Sequence, residues 1–200
     1  MASTLRLITP PSTLPLSLAD VQGHLRLTGV PYDVDVVTAL IEAATAYVER
    51  ITGRQLITAE YEYAFDEWPR ERWLELPRAP LATVDEITYL DTAGTLQVWP
   101  TSEYRVSAPQ HDRGRVSLAS NRVWPTLDLV FDAVSVAYTA GYGDTAASVP
   151  APLRTAIALL VGHWYEHREA VVVGTIASDL PMAVSALVTP FRARVEQVVM

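Results

Sequence analysis

His163, Glu166 and His167 are the residues whose types and spacing come closest to chemistry. They spell H-x-x-E-H, the pattern of inverted zinc peptidases. Residues four apart on a helix share a face, as two zinc-binding imidazoles must. A catalytic zinc also needs a third ligand and an open coordination position. Downstream the chain offers only Glu169, Asp179 and Glu196, with little sequence left to build a substrate cleft, and His111 sits far upstream in a loop-like stretch. The trio reads better as the polar side of a helix which, with Arg168, meets water or a neighbouring subunit, since Trp164 rather than the histidines lies in register with Leu153 and Leu160.

Other chemistry is thinner. Asp66/Glu67 and Asp85/Glu86 are adjacent carboxylates, and neighbours on a strand point to opposite faces, so neither pair can share a proton. Thr139-Ala-Gly-Tyr-Gly143 has glycines but no lysine and fits neither the P-loop nor the dinucleotide fingerprint. No G-x-S-x-G elbow supports a hydrolase triad, and the absence of cysteine removes thiolate chemistry and disulfides. The residues therefore predict no enzyme, no cofactor and no metal.

The elements that must position these residues begin with the stretch Val149–Val173. Pro150 and Pro152 suit a first helical turn, and Leu153, Ile157, Leu160, Val161 and Trp164 recur at helical spacing as its core stripe. Earlier, residues 1–16 carry prolines and no period, which predicts an extended arm. Ser17 can cap a short helix to about Leu27, and Asp33 or Asp35 starts a second through Ile51, closed by Gly53. After Arg54 the period falls to 2, with strands expected at Tyr61–Phe65, Trp73–Leu76, Val84–Leu90, Thr95–Trp99, Tyr104–Val106, Arg115–Leu118 and Leu129–Tyr138. A short helix is expected over Pro181–Val188, then a helical or extended tail. The fold class is α+β: a helical core with an inserted antiparallel β sheet or small barrel. The organisation is one domain with an insertion: arm and helical hairpin at 1–55, β region at 56–148, C-terminal helices and tail at 149–200.

The net charge is −8 and every fixed cation is an arginine. That balance opposes non-specific nucleic-acid binding, and a negative surface lets DNA pass without sticking. No signal-peptide pattern opens the chain, and no apolar run reaches about 18 residues, so a soluble intracellular protein without a membrane partner is expected. Many of the five tryptophans and nine tyrosines fall within 61–142. They either pack the sheet or serve a protein contact.

Leu18–Arg26, Leu40–Arg54, Leu76-Pro-Arg-Ala-Pro-Leu81, Val84–Tyr89, Tyr138–Gly143 and Val149–Val171 together resemble, in order, the head–tail connector (adaptor) proteins of tailed phages, prophages and gene transfer agents. The resemblance implies a virion structural protein at the head–tail junction. It would assemble as a homo-oligomeric ring, usually of twelve copies, between the portal and a stopper or tail-completion protein. DNA would cross its channel without sequence-specific binding. It also implies that the C-terminal segment reaches the portal, for which Phe191, Arg192, Arg194, Val195, Val198 and Val199 are the candidates. The alternatives are a small zinc-dependent hydrolase using the H-x-x-E-H helix and a non-viral protein-interaction domain of similar plan.

Overall fold

The computed structural model describes residues 3–27, 32–109, 112–167 and 182–193. The chain divides into two compact units, a β unit from residues 3–11 and 58–142 and a helical unit from residues 12–57 and 143–192. With antiparallel sheets and segregated helices the class is α+β.

The helical unit contains α1 (Leu18–Leu25), α2 (Val34–Thr52), α3 (Ala151–Glu166) and α4 (Met182–Val188). Local chemistry sets their ends. Ser17 and Asp20 form a reciprocal capping box, each side chain accepting from the other residue's backbone N–H at 3.1 Å. The Asp33 carboxylate accepts from the N–H groups of Asp35 and Val36, and Gly53 closes α2 at φ 67°, a left-handed conformation open to glycine. The helices α1, α2 and α4 all pack on α3. Val37, Ile41, Ala44 and Val48 of α2 are buried, as are Leu153, Ala156, Ile157, Leu160 and Val161 of α3 and Val184 and Val188 of α4. Thr45 and Thr52 are also buried, and each hydroxyl donates to the carbonyl four residues back at 2.7 Å, so neither leaves a polar group unpaired.

Arg54, just past α2, is only 1% exposed. Its Nε–H donates to the Phe191 carbonyl in the 3-10 turn Thr189–Phe191. Beside it, the Glu49 carboxylate accepts from the Gln55 side chain and the Leu56 N–H, both at 2.9 Å. The end of α2 and the chain after α4 are thus joined through buried polar groups.

The β unit holds two antiparallel sheets. The first is ordered β1 (Ser3–Thr9), β2 (Ala59–Phe65), β8 (Val134–Ala140), β4 (Leu81–Leu90), β5 (Leu96–Val98). The second is ordered β3 (Trp73–Glu75), β7 (Arg115–Leu118), β6 (Tyr104–Ser107). In β8 every second residue is buried, from Val134 through Val136 and Tyr138 to Ala140. Burial pushes the Tyr138 hydroxyl pKa up, and that hydroxyl donates to the Pro77 carbonyl at 2.7 Å. Gly114 lies so close to Leu81 that an added Cβ would stand 2.3 Å from its side chain.

Two segments differ from the sequence expectation. Residues 3–9, expected within an extended arm, form the edge strand β1, paired with β2 from Ser3↔Phe65 to Thr9↔Glu60 with a bulge at Ile8. Residues 129–133, expected to open the last strand, stand outside it. Asp132 takes a left-handed φ of 52° and its N–H is held by the Asp66 carboxylate at 2.9 Å, which breaks the ladder before Val134.

Hydrogen bonds from the Ser17 hydroxyl first, then from the Ser17 N–H, hold the Asp20 carboxyl pKa below its ordinary value. A depressed folded value stabilises fully above the unfolded value of about 4, and the effect is lost as pH falls through the folded one. Asp20→Ala is expected to cost about 1 kcal/mol or less at pH 7, since the group is exposed. Melting temperatures of wild type and variant should then converge on acidification; a gap constant between pH 7 and pH 2 contradicts this. Arg54→Ala removes a buried hydrogen-bonding cation and leaves a cavity, for an expected loss on the order of 3 kcal/mol in urea unfolding. Arg54→Lys should rescue little, because an ammonium lacks the planar fork. A loss below about 1 kcal/mol for Arg54→Ala would rule out a structural role for that contact.

Candidate functional site

The polar side of α3 meets the end of α1 and the start of α4 around an open pocket of about 480 Å³. Its lining includes His24 and Arg26, His163 and Glu166, and Ala183. Arg26 reaches this place as the left-handed C-cap of α1 (φ 54°), its N–H satisfied by the Gln22 and Gly23 carbonyls. His163 is half-buried, while Glu166 and His167 are exposed. Imidazoles, a guanidinium and a carboxylate gathered there can hydrogen-bond a polar protein surface.

The His163 and His167 rings lie 4.7 Å apart between centroids. The His167 backbone N–H bonds the His163 carbonyl at 3.0 Å and its Nδ1 lies 2.9 Å from the same oxygen. One ring nitrogen of His167 is thereby occupied in closing the helix. Among the described residues no group of three or more histidines and carboxylates is placed to hold a metal ion. Glu169, Asp179, Glu196, His111 and Arg168 lie outside the described residues.

On the opposite side of α3, Leu153, Ile157, Leu160 and Val161 are at most 1% exposed. Trp164 is half-buried, set edge-on to Tyr47 of α2 at 6.2 Å between centroids. Beyond α4, Phe191 is half-buried with its carbonyl on Arg54, and Arg192 is exposed. The other C-terminal candidates, Arg194, Val195, Val198 and Val199, lie outside the described residues.

The aromatic question resolves toward packing. Trp68 stacks on Trp124 at 4.7 Å, and Trp99 adjoins both at 5.2 and 5.3 Å. The Trp68 and Trp124 indole N–H groups each donate to a carbonyl at 3.0 Å, so the cluster is satisfied internally. Trp73 lies under the Arg115 guanidinium at 4.6 Å. The adjacent carboxylates serve structure as well: Asp66 holds the Asp132 N–H, and Asp85 accepts from the Thr83 and Thr139 hydroxyls. The glycine-rich stretch is a turn, with Gly141 and Gly143 at φ 138° and 142° and the Gly141 N–H on the Pro80 carbonyl. What residue patterns did not reveal is a pair of bare apolar side chains, Leu129 at 98% and Phe131 at 87% exposure.

Among the solved structures similar to the chain are three from gene transfer agent particles. One is a chain in the virion of a native gene transfer agent particle, at 27% identity and a TM-score of 0.80, with 96% of each chain covered. Another belongs to the neck of an empty gene transfer agent particle computed with C6 symmetry, at 26% identity and a TM-score of 0.76. The third belongs to the neck of a native particle computed with C12 symmetry, at 26% identity and a TM-score of 0.75. In both necks the match covers 96% of this chain and 97% of the other. No curated protein matches the chain. The head completion protein family model matches residues 16–192, from the residue before the Ser17 cap of α1 through the β unit to Arg192. By that match over most of its length, the chain belongs to the head completion protein family, among the head–tail connectors of phages and phage-like particles.

Proposed function

We propose that the protein is a structural, non-enzymatic head–tail adaptor that assembles as a ring of twelve copies in the neck of a phage or phage-like particle. The observation that carries this reading is the family match over residues 16–192, joined to the likeness to necks computed with C6 and C12 symmetry. One face of the ring binds the portal, the other a stopper or tail-completion protein, and DNA passes through the channel. The chain's −8 charge supports passage, since a lumen rich in carboxylates repels phosphates and lets the genome slide. The helices of 1–55 and 149–200 act as one domain, into which the β region 56–148 is inserted.

In this reading, His163, Glu166, His167 and Arg168 face a neighbouring subunit, where their mixed charges and hydrogen-bonding groups suit a polar rim. The C-terminal segment docks on the portal through Phe191, Arg192, Arg194, Val195, Val198 and Val199. Phe191 has a second duty, because its carbonyl is held by the buried Arg54. A truncation that tests docking must therefore spare the turn Thr189–Phe191.

Removing residues 194–200 is expected to leave helix content and melting temperature close to wild type while the protein no longer joins portal-bearing capsids in a co-sedimentation assay. Incorporation of the truncated chain at wild-type levels would refute docking through this segment.

A further inference from the structure

A ring of more than two copies closes only through two unlike patches, one on each side of every subunit. The described residues display an apolar projection and an apolar concavity that suit each other.

The projection is the turn 128–132. Leu129 and Phe131 are 98% and 87% exposed and Val130 between them is 40% exposed. Single exposed apolar residues are ordinary, but three in succession on one fixed turn are not. The turn is fixed at its base. The Asp128 N–H bonds the Leu90 carbonyl at 3.0 Å, and the Leu90 N–H bonds the Ala133 carbonyl at 2.8 Å. The Leu129 N–H is held by the Asp128 carboxylate at 2.8 Å, and Asp132 is ion-paired with Arg6. A tip held this way presents its side chains without a large ordering cost on binding.

The concavity lies in the helical unit, an open pocket of about 430 Å³ floored by Leu14, Leu16, Leu18 and Ile41. Its rim is braced where the Thr13 hydroxyl donates to the Asp144 carbonyl at 3.1 Å and where Ser17 and Asp20 form their capping box. Thr38 of α2 stands on the same rim. Small-molecule sites combine apolar walls with convergent polar groups, whereas Asp144 is the one titratable residue lining this pocket. An apolar side chain is the better match.

We propose that Leu129 and Phe131 of one copy insert into the Leu14–Leu16–Leu18–Ile41 pocket of the next copy. The inference rests on the ring reading and names its subunit contact. A second copy is favoured over the portal or a tail protein because projection and pocket belong to the same chain. In a closed ring each is used once per copy and none is left bare.

The natural chain has no cysteine, so introduced pairs report alone. With Phe131→Cys and Thr38→Cys in one full-length chain, mild oxidation is expected to give a ladder of cross-linked multiples. A mixture of the two single variants should stop at dimers, because each dimer then holds only one cysteine pair of this kind. Dimers from Phe131→Cys alone, in the same yield, mean a two-fold contact between projections and overturn the proposal. Native mass of the same samples separates the remaining outcomes. A ring without cross-links overturns this contact and leaves the ring reading standing. Neither ring nor cross-links, at the highest soluble concentration and with portal added, overturns both.

Discussion

The helical unit depends on one buried cation. Arg54 follows α2 with its side chain out of water, and it reaches the main chain of Phe191 beyond α4. An unsatisfied guanidinium in that position would be costly, so the end of α2 and the turn after α4 hold each other in register. The apolar stripes of α2, α3 and α4 supply most of the burial, but apolar contact is non-directional. The hydrogen bond adds direction: it fixes where the chain departs toward its C-terminus. For a connector whose tail is read as engaging a partner, a fixed departure point reduces the ordering cost of docking.

The β unit reaches its fixed geometry by other means. Half of its strands, β3, β5, β6 and β7, are short, and the loops between strands are pinned by aromatic stacking and by single side chains. Trp68, Trp99 and Trp124 pack against one another, and the indole N–H groups of Trp68 and Trp124, each on a carbonyl, orient their rings. Asp66 and Arg6 hold the turn before β8, and Asp91 builds its hairpin turn by accepting from Ala93 and Thr95. Hydrogen bonds from Thr95 and then from Gln97 hold that carboxyl pKa low. These devices hold the turn that carries Leu129 and Phe131 while those side chains stay bare, an arrangement that folding alone gives no reason to keep.

Legibility in the sequence followed the range of the interaction. The caps Ser17, Asp33 and Gly53 and the stripes of α2 and α3 act within a few residues, and composition and spacing exposed them. The alternation in Tyr61–Phe65 and in the second half of Leu129–Tyr138 was equally visible. Leu129-Val-Phe131 looked like the start of a strand because apolar residues carry the same signal in a strand and on an exposed tip. Distant partners, Asp66 and Arg6 among them, decide between them. β1 escaped notice because its partner β2 lies more than fifty residues away, while the prolines that follow it, Pro10, Pro11 and Pro15, spoke locally for an extended arm. Arg54 was invisible in kind: an arginine after a helix reads as surface, and nothing nearby marks it as buried. H-x-x-E-H is the reverse case, a local pattern stronger than its surroundings. It sets two imidazoles on one helix end, and among the described residues no group of three or more histidines and carboxylates is placed to hold a metal ion.

Family membership turns these features toward assembly. The measurement that tests the ring most directly is native mass spectrometry of the purified protein, alone and with its portal. The account predicts that the 22.0 kDa chain adds to the portal as one complete ring, with a mass increment of twelve copies and no stable partial rings. A portal complex carrying a single copy, or a chain that stays monomeric beside the portal at every concentration, would contradict it.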